Sequence, residues 1–167
     1  KAMICYQKAI QIQPNFIKAQ NNLGNIFKEL GNFSQAMNSY KKVIQVQSNH
    51  VNAHYNLAIL FKVLGDFQKT INSYQKVLKY EPENLIALYE LSNLKKEILN
   101  LNVKSKINKI LNNHNCNEEN RAYGNFLLAK YELEDNNFEG EFKYLLKGHS
   151  HYFDFKKKPF DQGVNYW

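Results

Sequence analysis

The sequence predicts an all-α protein, a right-handed superhelical solenoid of antiparallel helix pairs. Three observations lead to this prediction. Apolar residues recur at helical spacing, and two long segments resemble each other at an interval of 34 residues. Gly and Pro are scarce, with seven and three among 167 residues, whereas a sheet with many tight turns would need more of both.

The repeat is clearest in two segments that align residue by residue. Leu23 and Tyr40 return as Leu57 and Tyr74, each 34 positions later. Within each segment the apolar residues follow two short helices rather than one long helix. A single helix pair cannot bury its own apolar faces, so successive pairs are expected to stack.

The junction between the two helices is also predicted by residue type. Gly31 and Gly65 fall where the first helix should end, because Gly enters the left-handed conformation at little cost. The next residue in each repeat, Asn32 or Asp66, can cap the second helix.

This pattern resembles the tetratricopeptide repeat family, whose repeats carry Leu-Gly, aromatic, Gly, Ala and Pro positions in a fixed order. The resemblance divides the chain into six parts. These are the second helix of a truncated repeat (1–16), two well-matched repeats (17–50 and 51–84), a degenerate repeat with a loop (85–121), a last helix pair (122–148), and an aromatic-rich capping or linker tail (149–167).

The resemblance implies a protein-interaction scaffold that binds a protein or peptide in a concave groove lined by the first helix of each pair. Asn22 and Asn56, one period apart, could grip a peptide backbone or simply face water. Lys28 and Lys62 would favour an acidic segment. The predicted groove residues are Asn21, Asn22, Asn25, Lys28, Asn52, Tyr55, Asn56, Lys62, Tyr89 and Asn93.

A narrower resemblance concerns the last third of the chain. The run from Gly124 to Lys130, with Glu134-Asp135 and Phe142 to Gly148, is similar to the junction in bacterial proteins where tetratricopeptide repeats precede a sulfotransferase domain. The resemblance implies that this chain would be a non-catalytic, substrate-docking part. The alternative is a structural spacer within a larger enzyme.

The chemistry expected of an enzyme or a metal protein is missing from the sequence. No cluster of nucleophile, base and orienting group occurs, and His114, Cys116, His149 and His151 supply too few ligands for zinc. We therefore predict no catalytic residue, no cofactor and no metal site, and we expect His54 to be a partly buried packing residue.

The net charge of +7 suits acidic proteins, nucleic acid and anionic membranes alike. RNA binding is disfavoured because the repeat matches the protein-binding pattern, and no apolar run reaches membrane-spanning length. Two isolated cysteines indicate reduced thiols and a cytoplasmic location. A monomer is expected, or weak self-association through a truncated edge near Cys5.

Overall fold

The computed structural model describes the backbone of residues 1–164 and the side chains of residues 1–157. Within that range the chain forms nine α-helices, one 3-10 turn and no strand, which confirms the all-α prediction. The helices are α1 (Ala2–Ile12), α2 (Ile17–Glu29), α3 (Phe33–Val46), α4 (Val51–Val63), α5 (Phe67–Tyr80), α6 (Leu85–Leu94), α7 (Leu101–Leu111), α8 (Glu118–Glu134) and α9 (Phe138–Val164). The 3-10 turn, Lys96–Ile98, lies between α6 and α7.

Two glycines end α2 and α4, as the sequence predicts. Gly31 and Gly65 have φ angles of 74° and 75°, in the left-handed region that Gly adopts without steric cost. The backbone N–H of Asn32 then donates to the carbonyl of Phe27 at 2.8 Å, which satisfies an otherwise unpaired group at the helix end. The same turn recurs one repeat later, so the two helix pairs have the same connection.

The caps of α3 and α5 differ although they share a register. Asp66 accepts a hydrogen bond from the backbone N–H of Lys69 at 3.1 Å, and its carboxylate also contacts the Lys69 ammonium at 2.6 Å. These hydrogen bonds lower the pKa of Asp66. Asn32 makes no side-chain cap hydrogen bond, so that part of the prediction is wrong. Gln35 stands where Lys69 stands in the next repeat, and it offers no cation to hold a capping side chain in place.

The chain divides into two compact units, unit 1 from Lys1 to Pro82 and unit 2 from Glu83 onward. In unit 1, α2 packs against α3 and α4 packs against α5. The core between them contains fully buried Tyr40 and Leu60. At Gly24 a Cβ atom would lie 2.6 Å from the Tyr40 ring, so the absence of a side chain lets α2 approach α3 closely.

In unit 2, α8 is the central helix and packs against α6, α7 and α9. Gly124 has the same role here as Gly24 in unit 1, because a Cβ atom would lie 2.7 Å from the Leu111 side chain. The buried apolar side chains of this unit come from α6, α7 and α8, and they are Leu85, Ala87, Leu88, Leu91, Ile107, Ile110, Ala122, Leu127, Leu128, Ala129 and Tyr131.

The start of α8 differs from the sequence division. The predicted boundary at residue 122 lies inside α8, which begins at Glu118. The Asn117 side chain accepts from the backbone N–H of Asn120 at 2.7 Å, and Glu118 and Glu119 place negative charge in the first turn, where the helix dipole favours it. The polar stretch that reads as a loop therefore contains a complete helix start.

The predicted boundary after Gly148 does not coincide with a helix end either, because α9 runs from Phe138 to Val164. Gly148 is a packing position within this helix, since a Cβ atom there would lie 2.5 Å from the Phe126 ring. Part of the predicted tail 149–167 lies outside the described residues, and its capping or linker role stays a prediction.

Two further features bear on where the protein acts. Across residues 1–164, no helix combines the length and the apolar character needed to cross a membrane. Cys5 is exposed and Cys116 is half-buried, and both are free thiols. Burial raises the pKa of the Cys116 thiol. The cytoplasmic location stays a prediction.

Candidate functional site

The first helices of the two well-matched repeats carry a connected set of polar side chains. We call Asn22, Asn25, Lys28 and Asn56 the amide row. Asn25 accepts from the buried Tyr40 hydroxyl at 2.7 Å and from the Asn56 side-chain N–H at 3.1 Å. The Lys28 ammonium donates to the other end of the Asn56 amide at 3.2 Å. The structure thus brings together three of the predicted groove residues, Asn25 and Lys28 from adjacent turns of α2 and Asn56 from α4.

Asn22 occupies the same register as Asn56 and is held in a related way. Its side-chain N–H donates to the Tyr6 hydroxyl at 3.1 Å, and Tyr6 is one period before Tyr40. Both asparagines are half-buried. Each amide therefore has a fixed orientation before any partner arrives, which the sequence does not show.

The Tyr40 hydroxyl links the amide row to the core. Tyr40 is fully buried, and this burial, with a smaller contribution from Glu29, raises the pKa of its hydroxyl. The neutral hydroxyl is a permanent donor to Asn25 at physiological pH. The row is consequently anchored to a side chain that cannot move independently of the fold.

The remaining predicted residues of unit 1 have different environments. Asn52 and Lys62 are exposed on α4, while the Tyr55 ring meets the Tyr74 ring edge-on with 5.9 Å between centroids. Asn21 differs from the expectation of a solvent-facing side chain, because its Oδ1 atom is fully buried and has no hydrogen-bond partner. An unsatisfied buried carbonyl is uncommon and destabilising.

Tyr89 and Asn93, the two predicted residues of unit 2, both contact Lys130. The Lys130 ammonium donates to the Asn93 side chain and to the Ser92 hydroxyl, the latter at 2.8 Å, and lies 4.6 Å from the centre of the Tyr89 ring. Burial lowers the pKa of Lys130. With its donors directed to these groups, Lys130 serves to fix the wall of a cleft.

That cleft lies between α6, α8 and α9 and has a volume of about 370 Å³. We call it the aromatic cleft. Its rings contact one another, with the Tyr89 and Tyr123 centroids 5.4 Å apart and the Phe126 and His149 centroids 5.1 Å apart. It is lined by Tyr89, Tyr123, Phe126, Ala129, Lys130, Leu133, Glu141, Leu145, His149 and Tyr152.

Sequence reasoning finds only Tyr89 among the rings of the aromatic cleft. A signal was present, because Tyr123 and Phe126 are three residues apart on one helix, as are His149 and Tyr152 on another. The predicted tail begins at residue 149, so the sequence places the second pair outside any helix and does not reveal the face that it shares with the first pair.

Two histidines contact neighbouring groups in the structure. His54 is 8% exposed, its Nε2 lies 2.8 Å from the Ser48 carbonyl oxygen and its ring stacks on Tyr80, which confirms that it is a packing residue. His151 lies 2.7 Å from the Glu118 carboxylate. No group of three or more His, Cys, Asp or Glu residues is placed to hold a metal ion within the part of the chain that the structure describes.

Comparison with protein families gives matches in the first half of the chain. A TPR repeat family model matches residues 1–31 and 24–65, and a tetratricopeptide repeat model matches residues 51–84. No curated protein sequence matches the chain.

Several solved structures share the fold. A crystal structure of MamA has a TM-score of 0.62 at 16% identity, covering 93% of this chain and 89% of MamA. YrrB, a TPR protein with an unusual peptide-binding site, has a TM-score of 0.61 at 17% identity, covering 86% of this chain and 74% of YrrB. These identities are low, so the likeness concerns the fold.

Proposed function

This chain belongs to the tetratricopeptide repeat family, and from that premise we propose that it holds a peptide or protein segment against the first helices of its repeats. Tetratricopeptide repeats are interaction scaffolds rather than enzymes, which agrees with the expectation that this chain has no catalytic activity. A neighbour in fold, YrrB, has a peptide-binding site. This neighbour supports a protein-binding role, and the location of the site is our proposal.

The observation that carries the proposal is the hydrogen-bonded order of the amide row. An Asn side chain can donate two hydrogen bonds and accept two. The described contacts of Asn22 occupy one donor, and those of Asn56 occupy one donor and one acceptor. Each amide keeps capacity for a peptide N–H or carbonyl, and its fixed orientation lowers the entropic cost of binding.

Recognition by amides alone would depend on the peptide backbone and little on its side chains. Lys28 lies at one end of the row and adds a cation, so a peptide with an acidic residue near that end is favoured. The contribution of the charge is modest because Lys28 is only half-buried.

The experiment needs peptides that bind the chain, which a random peptide library displayed on phage would supply. A selected peptide is titrated by calorimetry against the full chain and against Asn22→Ala/Asn56→Ala. Loss of one or two net hydrogen bonds, about 1 kcal/mol each, predicts an affinity about fivefold to thirtyfold weaker. The matched control is Asn38→Ala/Asn72→Ala, which changes two exposed asparagines that are also one period apart but lie on the second helices.

The outcome decides the proposal as follows. Weaker binding by the first variant and unchanged binding by the control supports the amide row, provided that both variants melt cooperatively. Equal binding by all three proteins, or a greater loss in the control, rejects it.

A finer proposal concerns the parent protein. The resemblance of residues 124–148 to the junction before sulfotransferase domains favours a role in presenting protein substrates to such a domain. The coding sequence after Trp167 tests this directly. A strand followed by a phosphate-binding loop rich in Gly, Ser and Thr would support it, and a stop codon would exclude it.

A further inference from the structure

The formal charge of the chain lies entirely in unit 1. Residues Lys1–Pro82 contain ten lysines and three acidic residues, whereas twelve basic and twelve acidic residues follow from Glu83 onward. The helices α1, α3 and α5, which form the second helix of each repeat, contain no Asp or Glu. Their exposed side is therefore positively charged, and this is a different side from that of the amide row.

Two cavities open on this side between α1, α2 and α3. Their volumes are about 490 Å³ and 270 Å³, and both are lined by Ile10, Gln20 and Lys42. We call the two together the lysine cleft. The larger cavity is polar, with Gln7, Gln11, Gln35 and Asn38 in its wall, while the smaller one has apolar walls from Ile17, Val43 and Val46.

Gln20 is the unusual residue of the lysine cleft. It is 6% exposed, and no described residue hydrogen-bonds to its side-chain amide. The amide oxygen and nitrogen are not among the fully buried unpaired atoms, so the small exposed part of Gln20 includes its amide, which stays available to a ligand in the lysine cleft. Lys42, which lies between the two cavities, makes no ion pair with any described residue.

The next repeat shows why this space is open. His54 occupies the register of Gln20, but its ring contacts the Ser48 carbonyl and stacks on Tyr80 with 5.9 Å between centroids. Val46 stands in the register of Tyr80 and has no ring to offer. The first repeat therefore lacks the stacked pair of the second, and the amide of Gln20 has no counterpart of the His54 contact.

We propose that the lysine cleft binds a carboxylate side chain from an acidic polypeptide segment, with Lys42 as the cationic partner and the Gln20 amide as a neutral donor. A charge-assisted hydrogen bond to Lys42 would be the strong contact. The apolar walls from Ile17 and Val43 would accommodate the methylene groups of a Glu side chain. This inference goes beyond the proposed function, since it concerns different residues on a different side of unit 1.

Other polyanions fit this site less well. Unit 1 contains no Arg, the residue that matches phosphate geometry best, and the only ring in the lysine cleft is the half-buried Phe27. Single-stranded nucleic acid would need exposed rings on which bases can stack. A flat anionic bilayer could not reach the Gln20 amide, because Gln20 is only 6% exposed and lies inside the cleft.

The test measures binding of a fluorescein-labelled oligoglutamate peptide to the full chain by fluorescence polarisation. Lys42→Gln should weaken binding about tenfold, whereas Lys76→Gln should change it less than about twofold. Lys76→Gln is the matched control, because Lys76 is exposed and lies one period after Lys42, and its substitution removes the same charge. Lys42→Gln should leave the affinity for the phage-selected peptide of the amide row unchanged, which separates this proposal from the proposed function.

A second variant tests the cavity itself. Gln20→His/Val46→Tyr would introduce the stacked pair of the second repeat into the first, fill the smaller cavity and keep every lysine. It should fold and lose oligoglutamate binding.

Equal losses of oligoglutamate affinity in Lys42→Gln and Lys76→Gln would overturn the proposal. Unchanged binding by Gln20→His/Val46→Tyr would overturn it as well. Binding of RNA or of phosphatidylserine vesicles that depends on Lys42, without binding of oligoglutamate, would also overturn it.

Discussion

Replacing Gly24 by Ala should destabilise unit 1 although Ala is the better helix former. A Cβ atom at this position would lie 2.6 Å from the Cε1 atom of Tyr40, against about 3.4 Å for ordinary contact. The Tyr40 ring is fully buried and its hydroxyl donates to Asn25 at 2.7 Å, so the ring cannot turn away freely.

The magnitude follows from three contributions. Overpacking of a filled core costs about 1–3 kcal/mol. Displacement of the Tyr40 ring would weaken the hydrogen bond to Asn25, which contributes about 1 kcal/mol. The gain in helix propensity from Gly to Ala returns about 1 kcal/mol. We therefore expect a net loss of about 2 kcal/mol in the free energy of unfolding.

Urea denaturation followed by far-UV circular dichroism measures this loss. Gly140→Ala is the comparison variant, because a Cβ atom there would collide with the side chain of Asn137, which is exposed rather than buried. Moving Asn137 would cost its hydrogen bond from the Gly140 N–H but no core packing, so we expect a smaller loss than for Gly24→Ala. If Gly24→Ala were as stable as the wild type, the packing account of unit 1 would be wrong. A loss of equal size in Gly140→Ala would show that burial of the contacted side chain does not control the cost.

Two further predictions concern helix caps. Asp66→Ala should lower the thermal midpoint more than Asn32→Ala, because only Asp66 caps its helix; equal shifts in calorimetry would contradict this. His50 caps α4 by accepting from the Ala53 N–H at 3.1 Å, and burial lowers its pKa, so the unfolded chain binds the proton more tightly. Its stabilising contribution is present at pH above its ordinary pKa of about 6.5 and is lost as the pH falls. In His50→Asn, which keeps a capping oxygen, the free energy of unfolding should fall less than in the wild type as the pH drops from neutral to mildly acidic. A pH profile equal to that of the wild type would count against this assignment.

The repeat carries most of the information that the sequence gives about the fold. Gly31 and Gly65 are recognisable because a left-handed turn restricts the residue type, and the restriction recurs at the same interval. The start of α8 is harder to recognise, because Asn117 stands in a run of polar residues that also suits a loop. The continuation of α9 past Gly148 depends on packing against Phe126, which is a tertiary contact that local sequence does not reveal.

The residues of the candidate sites can be predicted where repeat register identifies them, but their contacts depend on how the helices pack. Asn22, Asn25 and Asn56 are identified by register, but their hydrogen bonds depend on how closely α2 approaches α4. The buried Oδ1 of Asn21 depends on neighbours in space and not on spacing along the helix. The lysine cleft arises because Val46 replaces the ring found at Tyr80, a difference that matters only once the helices are packed.

The most direct test of the account observes the asparagine side chains themselves. Nuclear magnetic resonance resolves side-chain amide signals in a chain of 19.7 kDa, and a phage-selected peptide can be titrated into it. The account predicts that the signals of Asn22 and Asn56 shift as the peptide binds while those of Asn38 and Asn72 stay in place. Shifts confined to Asn38 and Asn72, on the second helices, would show that the partner lies on the other side of the repeats.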